Sequence, residues 1–229
     1  MSIIDNQVLL FSGFSDNVQQ KLIRLALQSY KVEDIAYIRR ILNTDISNQI
    51  LIDLGMADAI DGLIEDYGKI IAAEGMAAPI LRNIPPEMLG ILQELDTQFY
   101  FEHVRDVGMK LKSTLIHASI GGITEAQLRG QLLTATKSLS KAQIGSLTNT
   151  ALRTMSRATF ASGASVLPDT ATFHYAGPYD DRNRDICRTA LDSEPSDGYT
   201  RDEISALEVD FVSGGGFNCR HSWELVIEQ

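Results

Sequence analysis

The sequence predicts a mainly α protein, with helices over the N-terminal two-thirds and a small α+β domain at the C-terminal end. Three observations carry this. Apolar residues recur at three- and four-residue spacing as far as about residue 163, the period of an amphipathic helix. Thr124, Ser140 and Thr200 are each followed three positions on by Gln127, Gln143 and Glu203, the capping-box pattern in which hydroxyl and carboxyl or amide satisfy each other's backbone donors. After Pro168 the periodicity gives way to β-branched and aromatic residues set between glycine-rich loops.

The first helix is expected to begin after Asp16 as N-cap, with Val18, Leu22, Leu25 and Ala26 on one stripe. A second stripe runs through Ile35, Ile38, Leu42, Ile46 and Ile50, and a third through Ile60, Leu63, Ile64, Tyr67 and Ile71. Gly75 and Pro79 punctuate that pattern, and Pro85-Pro86 open a long helix that Gly121-Gly122 stops, since proline suits a first turn where its missing N–H is not needed. The capping boxes place further helices at about 125–135, 141–163 and 201–207. Ile144, Leu147, Ala151, Met155 and Ala158 form the apolar stripe of the second of these, with Lys141, Arg153 and Arg157 off it or at its edge. "TATFHYAG" reads as a strand, "PYDDRNRD" as a polar turn, and "CRHSWELVI" as a final strand whose alternation sets Cys219, His221 and Trp223 on one face. The organisation expected is a helical region over 1–100, long helices over 101–168 leading into the tail, and the α+β domain over 169–229.

With 229 residues, 44% of them hydrophobic, the chain is long enough for a substantial core. Its apolar runs are broken by carboxylates and lysines, which excludes a membrane-spanning helix of roughly 20 residues. The start has Asp5 and no basic segment, so no signal peptide is expected, and two cysteines are too few for a disulfide scaffold. A reducing compartment follows as the expectation. The net charge of −10 repels nucleic acid on average. Residues 101–170 nevertheless hold 8 Lys and Arg against 4 Asp and Glu, between two acidic flanks. Lys110, Lys112, Arg153 and Arg157 are the residues there that would contact DNA; the simpler reading is a solvated face pairing with acids of this chain or a neighbour.

The residues that bear chemistry cluster late. Cys219 and His221, two apart on a strand, can address one atom, and Cys187 lies upstream with His174 and Asp181 nearby. Cys187, Cys219 and His221, completed by His174 or Asp181, would suit tetrahedral zinc, although a C-x-x-C pair is missing. The alternative is that both cysteines are small apolar fillers and His221 makes a structural hydrogen bond. A nucleophilic thiol with His221 as base is disfavoured, because strand positions i and i+2 hold two side chains parallel. In "YDDRNRDICR", Arg182, Arg184 and Arg188 are expected to meet Asp180, Asp181 and Asp185 in a salt-bridged turn. Gly214, Gly215 and Gly216 lack the Gly-Lys-Ser/Thr of a phosphate loop and precede a strand, so they serve positive φ or a close backbone approach. His103 and His117 are read as packing residues on helices.

The strings "FHYAGPYDDRNRDICRTAL", "TRDEISAL" and "GGGFNCRHSW", in that order, resemble the C-terminal domain of phage Mu F-like head morphogenesis (minor capsid) proteins. That pattern has an aromatic strand, a D-x-R turn leading to a cysteine, a loop, and a closing N-C-R-C or N-C-R-H. "ALRTMSRATFASGAS" resembles the arginine-bearing helix that leads into it, and the likeness covers roughly residues 105–229. This sequence departs from many members in having Arg184 where they carry the first cysteine of C-P-x-C, and His221 where they carry the last of N-C-R-C. The resemblance implies a non-enzymatic structural protein of the virion, assembled in the host cytoplasm. Its partners would be portal, capsid or connector subunits in a symmetric assembly, and packaged DNA. Asp181, Arg182, Cys187, Asn218, Cys219, Arg220, His221 and Trp223 would form the clasp that closes the tail domain. Two other classes remain: a small metal- or thiol-dependent enzyme using Cys187, Cys219 and His221, and a DNA-contacting module using the basic middle segment.

Overall fold

The structure, a computed structural model, describes residues 3–77 and 86–226. It is mainly α with a small antiparallel sheet near the C-terminal end. The helices are α1 (Ile3–Ser29), α2 (Ile35–Asn43), α3 (Ile46–Asn48, continuing as a π-turn over Gln49–Asp53), α4 (Met56–Ala77), α5 (Pro86–Gly121), α6 (Glu125–Ala135) and α7 (Lys141–Ala164). The tail follows as β1 (Thr172–Ala176), α8 (Asp185–Asp192), β2 (Tyr199–Thr200), α9 (Arg201–Ser205) and β3 (Ser222–Leu225). No helix among the described residues is long and apolar enough to cross a membrane.

The chain divides into two compact units, one of residues 1–65 with 95–148 and the other of residues 66–94 with 149–229. The division differs from the expected boundaries at 100 and 168, because α4, α5 and α7 each contribute residues to both units. Amphipathic periodicity continues smoothly through such helices, so nothing in the local pattern marks the change of unit.

In the first unit, α1 begins thirteen residues before the expected cap, so Asp16 lies inside it. The cause is a buried face built partly from polar residues. Ser15 Oγ donates to the Leu139 carbonyl at 3.0 Å, and Gln19 Nε2 donates to that of Thr136 at 2.8 Å. These side chains give the carbonyls at the end of α6 and in the following turn a donor from α1, that of Thr136 in addition to the Leu139 amide, and their polarity hides them from the apolar period. The first half of the second stripe is out of phase with the structure, Ile35 and Leu42 being exposed and Tyr37 and Ile41 buried in their place, while Ile46 and Ile50 are buried as expected. Asp34 caps α2 through the Ala36 and Tyr37 amides and Asp45 caps α3 through that of Asn48, so the chain restarts its helix and the phase resets. Val18, Leu22 and Ala26 are buried as expected, while Leu25 is exposed. Ile60, Leu63 and Tyr67 of α4 are buried, with Ile70. That helix runs through Gly75 to Ala77; Pro79 and Pro85 fall outside the described residues, as does Ile227. Gly121 ends α5, and Gly122 takes the left-handed φ of +61° after it. Both Thr124–Gln127 and Thr200–Glu203 form complete capping boxes, and α6 and α9 start where these predict.

The second unit contains the tail domain. Its sheet has the order β2-β1-β3, with Phe173 opposite Tyr199 and Leu225, and Tyr175 opposite Trp223. The period-two pleat sends Phe173, Tyr175, Tyr199 and Trp223 to one face, where all are buried. Phe160 and Ala164 of α7, Cys187 and Ala190 of α8, Ile204, Val209 and Cys219 complete this core. The rings meet edge-on or tilted, as in Phe173–Phe211 at 5.1 Å and Tyr175–Trp223 at 4.8 Å between centroids. No element is expected over residues 186–192, between the polar turn and the next loop, and they form most of α8. Its eight residues carry a short amphipathic stripe, Cys187 and Ala190, that packs on the sheet.

Candidate functional site

The last turn of the chain carries the site, because it is threaded between three anchors. Helix α7 supplies the first. Arg157 is buried and donates to three main-chain carbonyls: Nε to His221 at 2.9 Å, Nη2 to Cys219 at 2.7 Å and Nη1 to Ser213 at 3.0 Å. One planar guanidinium thus fixes both ends of the glycine-rich loop, a use that its fork of donors allows. One turn or more back on α7, Asn149 donates to Asn218 Oδ1 at 2.8 Å and Thr150 Oγ1 accepts from the Asn218 amide at 2.8 Å. Asn218 sits at φ +56°, a left-handed conformation that asparagine tolerates better than most residues.

The polar turn after β1 is the second anchor. Both carboxylate oxygens of Asp180 accept from Arg220, at 2.7 Å from Nη1 and 2.5 Å from Nη2. Those bonds, helped by the Arg182 amide, hold the Asp180 carboxyl well below the usual carboxylate range. Arg184 does not pair with an acid as expected. It reaches the carbonyls of Gly215, at 2.6 Å, and Phe217. The third anchor is Asp210, whose Oδ1 accepts from the Val212 and Ser213 amides while its carbonyl accepts the Trp223 indole N–H at 3.0 Å.

Held this way, Cys187, Cys219 and His221 come together, all buried, with Cys187 Sγ, Cys219 Sγ and His221 Nδ1 within 4.8 Å of one another. The sulfurs are 3.9 Å apart and unbonded, and Cys219 Sγ is 3.7 Å from His221 Nδ1. The other ring nitrogen of His221, Nε2, lies 3.0 Å from the Pro178 carbonyl. A carbonyl accepts only, so Nε2 carries the proton and Nδ1 presents a lone pair toward the sulfurs. The His221 ring stacks on Tyr175 with centroids 5.1 Å apart and planes at 19°. Tyr175 Oη in turn lies 3.7 Å from Cys187 Sγ and 3.6 Å from Cys219 Sγ.

The glycines make the room. A Cβ on Gly215 would stand 2.2 Å from Cys187 Sγ, and one on Gly177 would stand 2.4 Å from His221 Cδ2, so neither position admits a side chain. Gly214 and Gly216 take φ of +54° and +91° on either side.

The two thiols differ. Burial raises both; at Cys219 it is opposed by hydrogen bonds donated by the His221 backbone amide, the Gly215 amide at 3.2 Å and Tyr175, which draw the thiol down from its ordinary value. At Cys187 burial prevails and the thiol is pushed up. Burial, then the neighbouring sulfurs, also pushes the Tyr175 phenol up. These three donor atoms are the ones that could hold a metal ion. A cavity of about 150 Å³ lies beside them, lined by Arg182, Asn183, Arg184, Asn218 and Arg220.

Other expected ligands lie elsewhere. His174 is next to Tyr175 on β1, so the pleat turns it to the opposite face, where Nδ1 meets Glu194 Oε1 at 2.5 Å. Asp181 is exposed and outside the cluster, and it is Asp180 that joins the clasp. Arg157 is withdrawn from any DNA-contacting set by its burial. Arg153 donates to Asn149 Oδ1 at 2.8 Å, and Lys110 pairs with Asp106 at 2.5 Å on the exposed side of α5. Lys112 is half-buried on the same helix. Tyr175, Gly177, Asn149 and Thr150 were not singled out from sequence. The alternation of "FHYAG" was the available signal for Tyr175; the others depend on which segments meet.

Compared with protein-family models, with curated proteins and with solved structures, the chain matches none.

Proposed function

We propose that the chain is a structural protein of a phage head or head–tail junction, of the Mu F-like head morphogenesis kind. It works by contacts with portal, connector or capsid subunits rather than by turning over a substrate. The observation that carries this reading is the convergence of the motif strings. The aromatic strand, the D-x-R turn leading to a cysteine, the arginine-bearing helix and N-C-R-H are separated by up to seventy residues, from Ala151 to His221. They fold into one bonded unit through Arg157, Asn218, Arg220 and the Cys187–Cys219 contact. The residues of the resemblance are therefore those that build the domain.

Two further features support a contact role. The cavity at the cluster, about 150 Å³, is below the roughly 300–1,000 Å³ of ordinary small-molecule sites. In the first unit Leu10, Ile35, Ile52, Met109 and Ile120 are each more than 60% exposed, apolar side chains that a protein partner could cover.

The test is particle association. Proheads and mature heads from cells producing the phage are separated on gradients, and their proteins are quantified by mass spectrometry. The chain is expected in one or both at a fixed ratio to portal. Its absence from both would overturn the assignment.

A further inference from the structure

We propose that Cys187 Sγ, Cys219 Sγ and His221 Nδ1 bind one zinc ion, with a water from the adjoining cavity in the fourth position. Zinc held tetrahedrally at about 2.3 Å from sulfur and about 2.0–2.1 Å from nitrogen requires roughly 3.8 Å between two sulfurs and roughly 3.6 Å between sulfur and nitrogen. The corresponding separations are 3.9 Å for the two sulfurs and 3.7 Å for Cys219 Sγ to His221 Nδ1. Both agree to about a tenth of an ångström. The remaining edge lies within the 4.8 Å that bounds the group.

The surroundings have the character of a metal's supporting shell. The Pro178 carbonyl takes the Nε2 proton of His221 and so leaves Nδ1 free to coordinate, the usual second partner of a metal-binding histidine. The Gly215 amide points at Cys219 Sγ from 3.2 Å, and Tyr175 Oη lies near both sulfurs. Donors directed at sulfur suit thiolates. The Gly215 backbone approaches so closely that a Cβ there would strike Cys187 Sγ, which keeps the sulfurs on one side of a fixed wall.

Chemistry selects the metal. Two thiolates and an imidazole form a soft donor set without a carboxylate, which favours zinc over magnesium or calcium. In the bound state both sulfurs are thiolates, any thiol proton having gone to solvent, and the imidazole is neutral. Zinc and two thiolates then sum to zero charge, the state that costs least in a buried site. On the open side, the cavity of about 150 Å³ exceeds the roughly 30 Å³ a water occupies.

The proposal does not depend on the virion assignment, because a chain absent from particles would still hold the ion. The full chain, purified under reducing conditions, is examined by elemental analysis. It is then stripped with a chelator and titrated with Co(II) and with Zn(II), while circular dichroism verifies folding. About one zinc per chain is expected, and stripped protein should develop the visible and thiolate charge-transfer bands of tetrahedral cobalt, abolished by an equivalent of zinc. Cys187→Ser, Cys219→Ser and His221→Ala should each lose the bands, and His221→Cys should restore them with added sulfur charge-transfer intensity. A folded, reduced wild-type chain that neither retains zinc nor produces the cobalt spectrum would overturn the proposal. So would a spectrum unchanged in the folded Cys187→Ser variant.

Discussion

Replacing Arg157 with methionine keeps much of the side-chain volume and removes all three of its hydrogen bonds to the clasp. The bonds to His221 and Cys219 are buried, and the one to Ser213 is partly exposed, where water can take its place. Hydrogen bonds from a charged donor contribute about 1.5–3 kcal/mol each, and a buried carbonyl left alone costs a similar amount, so the two buried bonds set the scale. Because they share one guanidinium they do not add fully, and the expected loss is about 3–5 kcal/mol for the second unit. Arg157→Lys retains a charge but cannot fork to two carbonyls, and should cost about 2 kcal/mol. Trp223 is the chain's single tryptophan and is buried in this core, so urea unfolding followed by its fluorescence reports on the clasp directly. A loss below about 1 kcal/mol for Arg157→Met, with native Trp223 emission, would refute the view that this arginine ties the loop together.

Gly215→Ala puts a methyl group into Cys187 Sγ, and should cost about 1–3 kcal/mol by the same fluorescence assay while lowering zinc affinity. His174→Ala and Asp181→Ala should leave metal content unchanged, since the pleat and the turn hold both residues away from the cluster; loss of zinc in either, by elemental analysis, would show the ligand set is wrong. In acid, the depressed folded-state value of Asp180 means that its pairing with Arg220 stabilises fully above the ordinary carboxylate range of about 3.9 and is lost as the pH falls below it. Urea midpoints measured from pH 7 down to pH 3 should therefore fall less steeply in Asp180→Asn than in the wild type. Leu128→Ala, at a fully buried position of α6, should destabilise by about 2–5 kcal/mol, read by circular dichroism because Trp223 lies in the other unit.

Much of the architecture follows from local rules that operate within a few residues. The helical period, two complete capping boxes and the stop after Gly121 act through backbone hydrogen bonds between near neighbours, so reading them in order places α5, α6, α7 and α9. The alternation of Cys219, His221 and Trp223 is equally local, and all three are buried in the structure although only Ser222–Leu225 is strand. What the sequence by itself determined is therefore the class of the fold, its elements and the inward face of the tail. Only the tertiary structure decided which distant groups meet. Asp180 and Asp181 are adjacent and chemically alike, and the position of Arg220 selects the first. Arg157 resembles a surface arginine on its own helix, and becomes a buried tie because three carbonyls of a loop fifty-six or more residues away converge on it. The polar face of α1 is buried for the same reason: the carbonyls it satisfies belong to residues 136 and 139. A buried polar group is stable only with its partner in place, and the partner's position is a property of packing rather than of the neighbouring sequence.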